Sequence, residues 1–162
     1  MRTYWAVLAL TGALAVAAVP AEAAQGLGVN SKQEQTKLSV ADSKISWTSG
    51  TIDNVPSLAG VGFGGAAHYT LRGPLNDLTG VEVQVEFPSS KAATMAAPSG
   101  KILGADLATL AGENAVTWLY GAITSAQKGT SATSKNFGNL HVSFEVEVGP
   151  TYEFALAVVP VS

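Results

Sequence analysis

The stretch Val81-Glu-Val-Gln-Val-Glu-Phe87 decides the fold, because Val81, Val83, Val85 and Phe87 alternate without a break with Glu82, Gln84 and Glu86. Successive side chains of an extended chain point to opposite sides, so this alternation specifies a strand with one oily face and one wet face. The same period of two returns at Leu140, Val142, Phe144, Val146 and Val148, interleaved with His141, Ser143, Glu145 and Glu147. A third run follows Gly149-Pro150, with Tyr152, Phe154, Leu156 and Val158 on one parity. The Gly-Pro dipeptide supplies a tight connection, and the last two runs read as a hairpin or as near neighbours.

Outward from these three, weaker strand signals lie at Thr36–Val40, Lys44–Thr48, Ala67–Leu71 and Val116–Thr124. Each is rich in β-branched or aromatic residues and bounded by Gly, Ser, Asn or Asp. The run Gly60-Val-Gly-Phe-Gly-Gly65 reads as a loop or bulged strand. Only Gly104–Gly112 argues for a helix, with Leu107 and Leu110 three apart, and its length allows about one turn. Seven or more short strands with Gly/Pro turns predict an all-β fold, an antiparallel β-sandwich or barrel.

At the N-terminus, Arg2 precedes the apolar stretch Tyr4–Val19, and Ala21-Glu22-Ala23 follows. This is the layout of a Sec-type signal peptide, with cleavage expected after Ala23. Thr11, Gly12, Pro20 and Glu22 make the stretch short for a membrane span of about 20 apolar residues. A retained anchor helix is the competing reading. The expected organisation is a signal peptide over 1–23, a polar N-terminal arm over 24–43 and a β-sandwich domain over 44–162. The arm is either a loose lead-in or a segment that orders only on a partner. The expected location is outside the cytoplasm, secreted, periplasmic or at the cell surface.

The chain has no cysteine. The fold therefore rests on its core and its hydrogen-bonded ladders, and thiol catalysis and thiolate metal sites are excluded. The net charge is −3 with lysines scattered singly, which offers no electrostatic footprint for nucleic acid.

Enzymatic signals are sparse. His68 and His141 are the only histidines. Neither has a second histidine or a carboxylate at metal-ligand spacing, and His141 falls on the polar parity of a strand. No Gly-x-Ser-x-Gly elbow occurs, and the glycines of 60–65 lack the βαβ setting of a dinucleotide loop. Glu82/Glu86 and Glu145/Glu147 share strand faces that read as solvated. Asp42, Asp53, Asp77 and Asp106 lie in loop-like stretches that offer oxygen ligands to a structural calcium, without EF-hand spacing. No other cofactor is expected. Trp118 and Tyr120 share a strand parity and Trp47 lies in another predicted strand, so these three rings are the candidate binding residues, weighed against simple core packing.

Three segments carry a resemblance to the cohesin family and its carbohydrate-binding relatives, which are exported jelly-roll sandwiches. Leu78-Thr-Gly80 through Phe87-Pro-Ser89 looks like the family's strand and turn. Ser99–Gly104 looks like the stretch after it, and Phe137–Val146 like the Gly-x-Leu-x-x-x-x-Phe strand near the domain's end. The similarity runs over about Lys44–Val148. Phe87-Pro88-Ser89 lacks the family's acidic residue, and the tail from Pro150 adds a strand. The resemblance implies a jelly-roll, Ig-like sandwich that recognises a protein or a polysaccharide, and it transfers no recognition residue. The expected function is thus a non-enzymatic exported binding module. The alternative is a structural subunit of a filament or matrix, in which the arm from Gln25 to Val40 adds a strand to a neighbour.

Overall fold

A computed structural model describes residues 26–126 and 129–161. The segment read as a signal peptide lies outside the described residues. Helix α1 spans Ser31–Ala41 and is followed by strands β1 (Ser46–Ile52), β2 (Val55–Gly62), β3 (Ala67–Arg72) and β4 (Gly80–Pro88). Helices α2 (Ala92–Ala111) and α3 (Glu113–Ala126) come next, then strands β5 (Ser131–Phe137), β6 (Leu140–Val148) and β7 (Thr151–Pro160). The strands form one sheet in the order β1-β2-β3-β4-β7-β6-β5, and every pairing is antiparallel.

The alternating runs behave as their period requires. Val81, Val83, Val85 and Phe87 of β4 are buried, as are Leu140, Val142, Phe144 and Val146 of β6 and Phe154, Leu156 and Val158 of β7. The register aligns them into rows, with Val83 opposite Leu156 and Leu156 opposite Phe144. The β6–β7 hairpin turns at Gly149-Pro150, as expected. At the other edge, β1 and β2 join through Asp53-Asn54, both with positive φ (52° and 64°), the backbone of a type I′ turn whose twist matches the strands.

The expectation of a purely all-β sandwich is corrected, because a single sheet forms and helices cover its inner face. Val116–Thr124, read as a strand, lies within α3. Its buried positions Ala115, Leu119 and Ala126 are spaced four and seven apart, a helical stripe that outweighs the β-branched content. The single turn expected at Gly104–Gly112 is the end of the twenty-residue α2. Pro98, Gly100 and Gly104 punctuate that helix, yet the two glycines lie one turn apart and face α3. A Cβ on Gly104 would stand 2.8 Å from the Tyr120 hydroxyl, so the missing side chain sets how closely α2 and α3 approach. Gly112, with φ of 79°, turns the chain between them.

The polar arm is corrected as well. Thr36–Val40, read as a strand, lies within α1, which starts at a reciprocal capping box. The Asn30 side chain accepts from the Gln33 amide (2.9 Å), and the Gln33 side chain accepts from the Asn30 amide (3.1 Å). The inner face of α1 is Ser31, Glu34 and Leu38. Leucine is its only large apolar anchor, contributing about 2 kcal/mol by burial.

Trp47 of β1 lies across Gly60 of β2 and against Tyr69 of β3, with ring centroids 5.9 Å apart. A Cβ on Gly60 would come within 2.8 Å of the indole. Gly60→Ala is therefore expected to displace Trp47 and to destabilise the protein by about 1–3 kcal/mol, read from the denaturant midpoint.

Candidate functional site

The three rings named from the sequence do not converge. Trp47 sits on the edge strand β1, while Trp118 and Tyr120 sit on α3, which packs on β5 and β6 at the opposite edge. Trp118 meets Phe137 edge-on at 5.7 Å. Tyr120, two residues away on the helix, instead lies over the glycine face of α2. Each ring thus has a packing partner of its own.

The four aspartates also disperse. Asp53 pairs with Arg72 at 3.2 Å, Asp77 accepts from the Gly28 amide at 3.0 Å, Asp42 accepts from the Tyr69 hydroxyl at 3.0 Å, and Asp106 is buried in α2. Among the described residues no group of three or more His, Asp or Glu side chains is placed to hold a metal ion.

Two other places concentrate chemistry. The first is the outer face of the sheet, away from all three helices. Because the inner parity is apolar, the outer parity of three neighbouring strands carries Glu82, Gln84 and Glu86 from β4, Glu153 from β7, and Glu145 and Glu147 from β6. The register puts Glu86 directly opposite Glu153 and Glu153 directly opposite Glu147, a row of three carboxylates across adjacent strands. Like charges so placed repel. Loss of hydration, then the charges of Glu86, Glu147 and Glu145, raise the pKa of Glu153. The Gln84 amide donates to it at 2.8 Å and opposes the shift. The outer strand positions hold one permanent cation, Arg72, which is already engaged by Asp53.

Beside the row, small side chains leave a groove of about 350 Å³, bounded by Glu82, Ser134, His141, Ser143 and Glu145 and floored by Ala155 and Ala157. His141 also lines the groove, and its Nδ1 lies 2.7 Å from Asn136 Oδ1, an acceptor that favours the proton on Nδ1. His68, on β3, is exposed on the same outer face, opposite Gln84.

The second place is the interior between α1, α2 and β3. Glu34 of α1 and Asp106 of α2 are buried against each other, and none of their four carboxylate oxygens receives a hydrogen bond from a protein donor. Two ionised carboxylates cannot bond to one another, whereas a single shared proton supplies the missing donor. Burial above all, then the charge and hydrogen bond of Glu34, hold the Asp106 carboxyl well above the usual carboxylate range; Lys37 acts in the opposite direction. Lys37 Nζ stands 3.7 Å from Glu34. Nearby, burial and then the charge of Asp42 push the Tyr69 phenol far above its ordinary value, so it stays protonated and donates to Asp42.

Sequence reasoning missed Glu34 because a lone carboxylate in a polar arm has no apolar pattern around it. It placed Asp106 in a loop, although Leu103 and Leu107 on either side mark the buried stripe of a helix. Removing the donor that serves Asp42 leaves a buried carboxylate short of a partner. Tyr69→Phe is expected to cost about 1.5–3 kcal/mol in chemical denaturation, with the sheet intact by circular dichroism. Compared with known protein families, curated proteins and solved structures, the chain matches none.

Proposed function

We propose that the chain is a non-enzymatic binding module of the cell envelope that docks a basic protein segment on the outer face of its sheet. The observation that carries this reading is the aligned row Glu86–Glu153–Glu147. Three carboxylates in direct cross-strand register weaken the sheet in isolation, and a Lys- or Arg-rich partner converts that repulsion into attraction. Glu82 and Glu145 extend the negative field to the adjoining groove. The apolar stretch Tyr4–Val19 behind Arg2 supports export. A basic protein segment fits this face better than a neutral polysaccharide, which asks for exposed aromatic platforms; the outer positions of β4, β6 and β7 carry none.

A second reading is a structural subunit, favoured by the free edge of β5. Ser131–Asn136 are all exposed, and among the described residues β5 pairs only with β6. Such an edge is open to a strand from another copy. Residues 31–41 form α1, so strand addition by that part of the arm requires the helix to unfold first.

Polylysine is expected to shift the amide resonances of β4, β6 and β7. Replacing Glu86, Glu147 and Glu153 together by Gln should weaken that binding by about tenfold or more, as should raised salt. Shifts confined to other surfaces, or binding indifferent to the triple substitution, would remove the proposal; concentration-dependent oligomers in size exclusion would favour the structural subunit. Glu153→Gln alone is expected to stabilise the protein by a few tenths of a kcal/mol at neutral pH. Because its pKa is raised in the fold, Glu153 weakens stability as pH rises above the ordinary carboxylate range. The gain from Glu153→Gln should therefore fade below about pH 4, measured by denaturation across pH.

A further inference from the structure

We propose that α1 is a proton-held latch: Glu34 and Asp106 share one proton across the α1–α2 interface, and loss of that proton as the pH rises frees the inner face of α1 from α2. The geometry is unusual in three respects that bear on each other. Both carboxyls are almost wholly buried, with exposures of 0% and 1%, so neither is open to bulk solvent. Neither receives a hydrogen bond from any described protein group. And α1 is held to the body of the protein by few other contacts, since its buried face is Ser31, Glu34 and Leu38.

The ionisable groups facing the pair are Lys37 from α1 itself and, from β3 and the cap of α1, Tyr69 with Asp42. Lys37 is 3.7 Å from Glu34 and partly solvated, so it offsets one negative charge and not two. Tyr69 is committed to Asp42 and has no second proton to give. With one carboxyl protonated, the pair and Lys37 balance; with both ionised, an uncompensated charge sits in the interior.

The two ends of α1 are tied independently of the pair. At the start, the Ser31 amide and hydroxyl both donate to the Leu75 carbonyl, at 2.9 and 3.1 Å, and the Leu27 amide donates to Leu78. At the end, Asp42 caps the helix through its amide and accepts from Tyr69. Loss of the shared proton therefore loosens the middle of α1 between two tethers and uncovers the site of Leu38. The fold binds more protons than the unfolded chain in this range. Docking is therefore complete below the ordinary carboxylate pKa, near pH 4, and weakens as pH rises through the elevated pKa of Asp106.

Native-state amide hydrogen exchange on the purified chain tests this, with protection factors corrected for the intrinsic pH dependence of exchange. Protection of the Gln35–Leu38 amides is expected to fall by about tenfold or more as the pH is raised from the ordinary carboxylate range to the alkaline limit of the folded chain, with β4 and β6 unchanged. In Asp106→Asn the carboxamide donates to Glu34 without any titrating proton, and the fall should flatten; Glu34→Gln reverses the donor and should do the same. No fall in the unsubstituted chain, an equal fall throughout the sheet, or an undiminished fall in a folded variant overturns the latch. The first two outcomes are decisive even if both variants fail to fold.

Discussion

The pairing of β4 with β7 is the constraint on which the rest of the structure depends. It joins the β1–β4 meander to the β5–β7 meander, and it runs from Val81 opposite Val158 to Pro88 opposite Thr151. In this register the apolar parities of both meanders share one face. A slip of one residue would turn Val83 and Val85 to water and bring Glu82 and Gln84 inside. The stacked rings of Phe87, Phe154 and Phe144 run across this seam, with centroid separations of 5.7 and 6.3 Å, so aromatic packing and ladder hydrogen bonds enforce the same register.

That shared face must be covered, and its cover is helical. An outer face made of glutamates, serines and alanines could not seal against a second sheet, whereas α2 and α3 offer Ile102, Leu103, Leu107 and Leu119 to the inner face. With α1, α2 and α3 on one side, the polar parity of β4, β7 and β6 is left as an uninterrupted surface among the described residues. The negative field of the outer face is thus a direct result of the strict alternation that builds the core.

How much was legible follows from how each element signals itself. The three strands with unbroken alternation, Val81–Phe87, Leu140–Val148 and Tyr152–Val158, were readable because a half-buried strand has no other pattern. Helix α2 was not, since Pro98, Gly100 and Gly104 look like loop punctuation until the close approach of Tyr120 explains the glycines. Helix α3 was misread because Val116, Thr117, Ile123 and Thr124 carry strand propensity, and tertiary packing of Ala115, Leu119 and Ala126 prevails over it. Of the outer face, the pairs Glu82/Glu86 and Glu145/Glu147 were visible on their strands. Their alignment with Glu153 was not, because register between distant strands is a property of the assembled sheet. Of the three segments on which the expected likeness to cohesins rests, two fall on β4 and β6 and the third, Ser99–Gly104, falls within helix α2.

The connectivity also sets an order of events. Within each meander, consecutive strands meet through short turns such as Asp53-Asn54 and Gly149-Pro150, contacts that cost little chain entropy and close quickly. The seam between the meanders lacks that advantage, for α2, α3, β5 and β6 all intervene between β4 and β7. Two locally ordered halves must therefore collide late. Until they do, each exposes an oily strand flank, and the tether that carries the second half, α2 and α3, is also what covers that flank in the finished fold.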